Sequence, residues 1–245
     1  MSEINGPKIL AIIPARGGSK SVPRKNIKPL AGKPLLYYIL TAALGSKLLT
    51  KTVVSSEDDE ILAVAEQYGG KEVPLRRPAE LAEDTTADIP VLRHAIAEVE
   101  AKAGYQFDYV VMLHATTPLV TTEDIDATLQ LLIDDPGADS AVSVYQVNDF
   151  HPKKLLKIDG GRLSSYVEGF PEPTTSRRQD VVPVYKRNGG IYVSKRHIMV
   201  DQGTVWGKIV LPHIMPEDKS VDINSKVDFL FAETLMELRQ RGQSL

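Results

Sequence analysis

Apolar residues in this chain fall into short continuous runs separated by longer stretches of helical period. Ile9 to Ile13, Lys51 to Ser55, Val73 to Leu75, Tyr109 to Leu113, Ser140 to Gln146, Asn188 to Val193 and Lys208 to Leu211 read as strands. Between them, Leu35 to Leu49 is apolar nearly all round and predicts a buried helix. Ser56 followed by Glu57, Asp58, Asp59 and Glu60 predicts an N-cap and an acidic first turn, and Gly69-Gly70 a stop. Helices follow from Asp88 to about Ala103, from Ile125 to Ile133 and from Lys226 to Arg241. Continuous rather than alternating apolar strands, interleaved with helices, predict an α/β fold whose mostly parallel sheet is covered on both faces. Ligands of such sheets bind at the carboxyl ends of the strands. The loops after Ile13, Ser55, Leu113 and Val147 are therefore the places to look.

Residues 148–187 break the pattern with four prolines, the pair Gly160-Gly161 and short alternating pieces at Leu155 to Ile158 and Leu163 to Val167. They predict a projecting β arm inserted into a single domain spanning residues 1–245, placed to lid a site or pack on another subunit.

The loop after the first strand changes the picture most. Arg16-Gly17-Gly18-Ser19-Lys20 and Arg24-Lys25-Asn26 place four positive charges, Arg16, Lys20, Arg24 and Lys25, within ten positions. Gly17 and Gly18 would let the backbone take positive φ and bring consecutive N–H groups onto an anion. A polyphosphate fits that chemistry, although the spacing is neither the P-loop nor the dinucleotide pattern. A basic surface turn is the plain alternative.

Composition narrows the rest. The formal charge of −3 on 245 residues speaks against broad nucleic-acid binding, so the positive charge is local. The chain has no cysteine, which excludes disulfides, thiolate metal sites and cysteine nucleophiles. No signal-peptide pattern precedes the first strand and no apolar run has membrane-spanning length, so a cytoplasmic, membrane-free protein is expected.

Reacting phosphates call for a hard cation. In Ser220-Val221-Asp222-Ile223-Asn224, the carboxylate of Asp222 and the amide oxygen of Asn224 point to one face of an extended segment and could share one; a turn or a helix cap accounts for the same residues. Arg77, Arg177, Arg178, Lys186 and Arg187 suit phosphate or carboxylate recognition, or a solvated arm. His114 ends an apolar strand, where it contacts a ligand or sits hydrogen-bonded in the core. The five histidines build neither a Ser-His-Asp arrangement nor a His-x-x-x-His pair.

Taken together, these segments resemble the cytidylyltransferases that activate acidic eight- and nine-carbon sugars, best known as CMP-N-acylneuraminate synthetases. The matching segments are Ile13-Pro14-Ala15-Arg16-Gly17-Gly18-Ser19-Lys20, Pro23-Arg24-Lys25-Asn26-Ile27, Gly32-Lys33-Pro34-Leu35, Val54-Ser55-Ser56, Arg77-Pro78-Ala79-Glu80-Leu81, Thr117-Pro118, Arg178-Gln179, Asn188-Gly189-Gly190-Ile191-Tyr192 and Asp222-Ile223. The resemblance implies a Rossmann-like nucleotidyltransferase fold, a homodimer in which one subunit's arm reaches its neighbour's site, and Mg²⁺-dependent CMP transfer from CTP to an acidic 2-keto-3-deoxy sugar. It also implies roles. Ala15, Arg16, Gly17, Gly18, Ser19, Lys20, Lys25, Asn26 and Arg77 would hold the nucleotide. His114, Thr116, Thr117, Arg178, Gln179 and Tyr192 would shape the sugar pocket. Asp222 with Asn224 would hold the metal, and Arg16, Lys20 and Asp222 would carry the chemistry.

Three positions depart from the family pattern. His114 and Asn224 stand where Gln and Asp are common, and Ser21 where Gly is common. The same transfer to 3-deoxy-manno-octulosonate or a phosphonate, and a nucleotide-binding subunit without turnover, are the alternative functions.

Overall fold

The computed structural model describes residues 6–147, 152–167 and 182–243. Its centre is a seven-stranded sheet in the order β11-β7-β10-β6-β1-β4-β5. These strands are β1 (Ile9–Pro14), β4 (Lys51–Ser56), β5 (Pro74–Arg76), β6 (Tyr109–Leu113), β7 (Ser140–Val147), β10 (Val184–Lys195) and β11 (Val210–Ile214). All neighbours pair in parallel except β10, which runs antiparallel to β6 and to β7.

Both faces of β1 are buried, which is why its sequence is a continuous apolar run. Ile9, Ala11 and Ile13 meet α1 (Leu35–Gly45), α2 (Asp59–Gly69) and α4 (Thr122–Asp134) through Leu36, Ile39, Ile61, Ile125 and Leu129. Leu10 and Ile12 meet Leu92, Ile96 and Val99 of α3 (Asp88–Ala103), with Met199 of α5 (Arg196–Val200) in the same cluster. A third cluster packs Phe229, Ala232 and Leu235 of α6 (Lys226–Gln240) on Val22, Leu30, Val221 and Ile223. That cluster clamps the segment after β1 to the segment carrying Asp222.

Several boundaries differ from the sequence expectation. α1 ends at Gly45, where a Cβ would crowd the Thr122 hydroxyl, rather than at Leu49. The N-cap of α2 is Asp58, whose carboxylate accepts from the N–H groups of Glu60 and Ile61; Ser56 is still paired with Arg76 in the sheet. The last strand begins at Val210 rather than Lys208, because the Asp139 carboxylate holds the N–H groups of Lys208 and Ile209 in the approach to it.

The insertion is shorter than residues 148–187, since β10 already pairs with β7 from Val184. Within it, β8 (Leu156–Asp159) and β9 (Arg162–Ser165) form a hairpin whose turn, Gly160-Gly161, has φ of 54° and 78°. Two consecutive positive φ values are what a tight two-residue hairpin loop demands. The short pair β2 (Pro29–Leu30) and β3 (Lys33–Pro34) leads into α1. No helix among the described residues is long and apolar enough to cross a membrane.

Candidate active site

A cavity of about 540 Å³ opens at the carboxyl ends of β1 and β6, lined among others by Arg16, Lys20, Asn26, Arg77, His114 and Asn224. It lies where a parallel sheet places its ligands and is large enough for a nucleotide-sized molecule.

The loop after β1 divides its charges. Arg16 and Lys20 face the cavity, and both pair with the Asp84 carboxylate, Arg16 Nη1 at 2.7 Å from Oδ1 and Lys20 Nζ on Oδ2. Arg24, in the left-handed region at φ 56°, turns away and grips Asp58 with both guanidinium nitrogens, with Glu60 3.0 Å beyond. Hydrogen bonding to Asp58 raises the Arg24 pKa, and hydrogen bonding from Arg24 holds Asp58 below the usual carboxylate range. Lys25 Nζ donates to the carbonyl of Ile223 at 2.7 Å, and burial lowers its pKa. Lys25 is thereby a strut between the basic loop and the Asp222 segment.

The glycines work differently from the sequence expectation. Gly17 and Gly18 do not have positive φ; the residue that takes it in this loop is Arg24. A Cβ on Gly17 would collide with the Asp58 carboxylate, so the constraint there is close approach rather than handedness. The Gly17 N–H is also spoken for, donating to Glu57 Oε1 at 2.8 Å. Gly18 faces open space, where a side chain would meet nothing within 4 Å.

Glu57 has a second partner. Its Oε2 accepts from Arg77 Nη2 at 2.9 Å, and the Arg77 side chain is only 3% exposed. One carboxylate thus joins the tip of the basic loop to the exit of β5. In the sequence Glu57 belongs to the acidic first turn expected after Ser56; a tie across 40 residues leaves no local periodicity to find it by. Asp84 was likewise missed, being one acidic residue in the exposed Glu83-Asp84-Thr85 run.

Of the other nucleotide candidates, Ala15 extends the β1–β4 pairing through its N–H to Ser55. Asn26 is buried, and its amide donates to the Arg16 carbonyl at 2.9 Å, closing the loop on itself while lining the cavity. Ser19 lines it too.

The sugar candidates separate. His114 and Thr116 line the cavity. Thr117 is buried, with its hydroxyl on the His114 carbonyl at 2.9 Å, so it shapes the turn. Tyr192 is buried beside His114, ring centroids 5.8 Å apart, and burial raises its pKa. Arg178 and Gln179 lie outside the described residues.

Asp222 sits in an extended stretch pinned from three sides. The Ile223 N–H donates to the Thr116 carbonyl, Lys25 holds the Ile223 carbonyl, and the Asn224 N–H donates to Asp228, which forms a capping box with Ser225 at the start of α6. Val221 and Ile223 point inward. Asp222 and Asn224 point the other way, with Asn224 Nδ2 donating to Asp222 Oδ2 at 2.8 Å. The other carboxylate oxygen, Oδ1, is buried without a hydrogen-bond partner. A buried carboxylate oxygen left unpaired is costly, and a cation is the natural ligand for it. Among the described residues no group of three or more His, Cys, Asp or Glu gathers around a metal position, so most of a cation's ligands would have to come from substrate and water. That arrangement suits Mg²⁺, which keeps waters and takes substrate phosphates as ligands.

Gly189, at φ 78°, passes so close that a Cβ would stand 3.0 Å from Asp222 Oδ2, whereas a Cβ on Gly190 would crowd Val120, so the two glycines after Asn188 have separate reasons. Asn188 is a buried hub, accepting from Ser143 Oγ at 2.6 Å and from the Gly190 N–H, and donating to Ser220 Oγ. A second cavity, of about 460 Å³, has Asp222 and Asn224 in its wall together with Lys186, Arg187, Asn188 and Phe231. The two cavities share Asn224.

Comparison with known proteins gives the family and the fold. The cytidylyltransferase family model matches residues 10–200. The chain is 33% identical over 229 residues to post-translational flagellin modification protein B of Campylobacter coli, covering 94% of this chain and 95% of that protein. It is 32% identical to CMP-N,N'-diacetyllegionaminic acid synthase of Legionella pneumophila, covering 96% and 99%. The solved structure of CMP:2-keto-3-deoxy-manno-octonic acid synthetase complexed with CTP superposes with a TM-score of 0.69 at 16% identity, covering 95% of this chain and 99% of that one, a likeness of fold. With the family model matching residues 10–200 and relatives above 30% identity over nearly the whole chain, this chain belongs to the cytidylyltransferase family.

Proposed function

We propose that the protein transfers CMP from CTP to the anomeric hydroxyl of an acidic 2-keto-3-deoxy sugar of the nonulosonic type, releasing pyrophosphate. The observation that carries this reading is the meeting of two cavities at Asn224, one holding the Arg16 and Lys20 cations and the other Asp222, Lys186 and Arg187. Two anionic substrates can thus be held in adjoining cavities, with the Asp222 carboxylate hydrogen-bonded to the residue the cavities share. The relative named for CMP-N,N'-diacetyllegionaminic acid supplies the sugar class.

In this scheme Arg16 and Lys20 bind the β- and γ-phosphates and take up charge as pyrophosphate leaves. Catalysis is then chiefly positioning and charge neutralisation, as expected for in-line displacement at phosphorus. Asp222, with Asn224 beside it, would hold Mg²⁺. When bound, the ion would lower the pKa of the attacking hydroxyl and offset phosphate charge. Asn26 and Lys25 keep the loop closed and in register with Asp222. His114 and Thr116 line the same cavity as Arg16 and Lys20, which shares Asn224 with the second cavity. The protein works as a cytoplasmic homodimer on small molecules, with neither nucleic acid nor membrane as partner. Its β8–β9 hairpin presents Ile158, 76% exposed, opposite Leu163, an apolar pair suited to a second copy.

A pyrophosphate-release assay with CTP against legionaminic, pseudaminic and sialic acids, 3-deoxy-manno-octulosonate and a phosphonate tests the reading. Turnover with a nonulosonic acid is expected; CTP binding without turnover on any acceptor would replace the enzyme with a nucleotide-binding subunit. In Asn224→Asp, a second carboxylate repels Asp222 in place of donating to it, so metal dependence should steepen while CTP affinity changes little. An unchanged Mg²⁺ titration would remove Asn224 from the metal site.

A further inference from the structure

The carboxylate of Asp84 stands where an anionic ligand belongs. It comes from the exposed turn between β5 and α3, far in sequence from the basic loop, yet each oxygen meets one cavity-facing cation, Oδ1 the Arg16 guanidinium at 2.7 Å and Oδ2 the Lys20 ammonium. Its side chain is 37% exposed. The Lys20 hydrogen bond is the largest influence holding its pKa below the usual carboxylate range.

The other acids around the loop have structural duties. Glu57 also accepts from the Gly17 N–H, and Asp58 also caps α2. Among the described residues, Asp84's carboxylate has no partner besides Arg16 and Lys20. It braces nothing else and can leave at little cost, since exposed ion pairs contribute little.

We propose that Asp84 is a specificity-determining counter-anion: it pairs with Arg16 and Lys20 in place of phosphate, competes with the triphosphate for them, and recaptures both cations as pyrophosphate leaves. This rests on the phosphate reading of the loop given above. An anion that engages both cations at once, a triphosphate or pyrophosphate, displaces it. A single phosphate gains too little to do so. The same competition lowers affinity for the leaving product.

Calorimetric titration of the full chain and of its Asp84→Asn and Asp84→Glu variants with inorganic pyrophosphate, CTP and CMP tests this. Asp84→Asn should bind pyrophosphate and CTP about three- to tenfold more tightly, with stronger pyrophosphate product inhibition, while CMP binding changes less. The gain should shrink at high salt, where the internal pair is screened. Asp84→Glu, which restores the carboxylate, should return towards the parent. A purely structural residue would weaken binding when removed, so tighter binding is the diagnostic sign. Unchanged or weaker pyrophosphate binding in Asp84→Asn overturns the proposal. Failure of the unaltered protein to bind either pyrophosphate or CTP would instead overturn the phosphate reading, and Asp84's role with it.

Discussion

The two halves of the basic loop carry the same charge and do different work. In the first half, Arg16 and Lys20 line an open cavity and share one exposed carboxylate that braces nothing else. In the second, Arg24 is locked to the cap of α2, and Lys25, although it also lines the cavity, to a backbone carbonyl ahead of α6. Arg77, reached through Glu57, belongs with the second group even though it also lines the cavity. A cation whose partner is itself fixed by the fold serves the fold. One whose partner can leave is available to a ligand.

The largest effect that sharpens this contrast is expected at Arg77. Arg77→Ala strands Glu57, and chemical denaturation should register a loss of about 3 kcal/mol, the low end for breaking a buried pair because Glu57 retains some access to water. A full-stability Arg77→Ala with poor CTP use would move Arg77 into the ligand-binding group. Next come Arg16→Ala and Lys20→Ala. Each removes a charge-assisted contact to the triphosphate, so kcat/KM for CTP should fall by an amount equivalent to about 1.5–3 kcal/mol while the melting temperature holds. Normal kinetics in both variants would break the comparison at its centre.

Arg24→Ala should do the reverse, lowering stability by about 1 kcal/mol and leaving catalysis by the folded protein close to normal. The smallest effect concerns pH. Asp58 titrates below its unfolded value of about 3.9, so its stabilisation is complete above about pH 4 and fades as pH falls through the folded value. Asp58→Asn keeps an N-cap acceptor and loses the charge, and its stability should therefore decline less steeply than the parent's between about pH 5 and pH 3. Parallel curves would show that Arg24 gains nothing from the Asp58 charge.

Much was legible in the chain itself. The runs at Ile9 to Ile13 and Tyr109 to Leu113 fixed the central parallel strands, because residues buried on both faces must be apolar at every position. Period and caps located α2, α3, α4 and α6 to within a few residues. The clustering of Arg16, Lys20, Arg24 and Lys25 drew attention to the loop that lines the larger cavity, since local charge density is a property of sequence. What it did not contain was the partner of each charge. Glu57 beneath Gly17, Asp84 across Arg16 and Lys20, and the Ile223 carbonyl under Lys25 are brought to the loop by separate strands and turns. The antiparallel course of β10, and its start at Val184 within the expected arm, depended in the same way on pairing with β6 and β7. Apolar pattern and charge density are local and survive in one dimension. Which ion pair is permanent and which can be displaced is decided by burial and by the other bonds of the partner, and those exist only once the chain has folded.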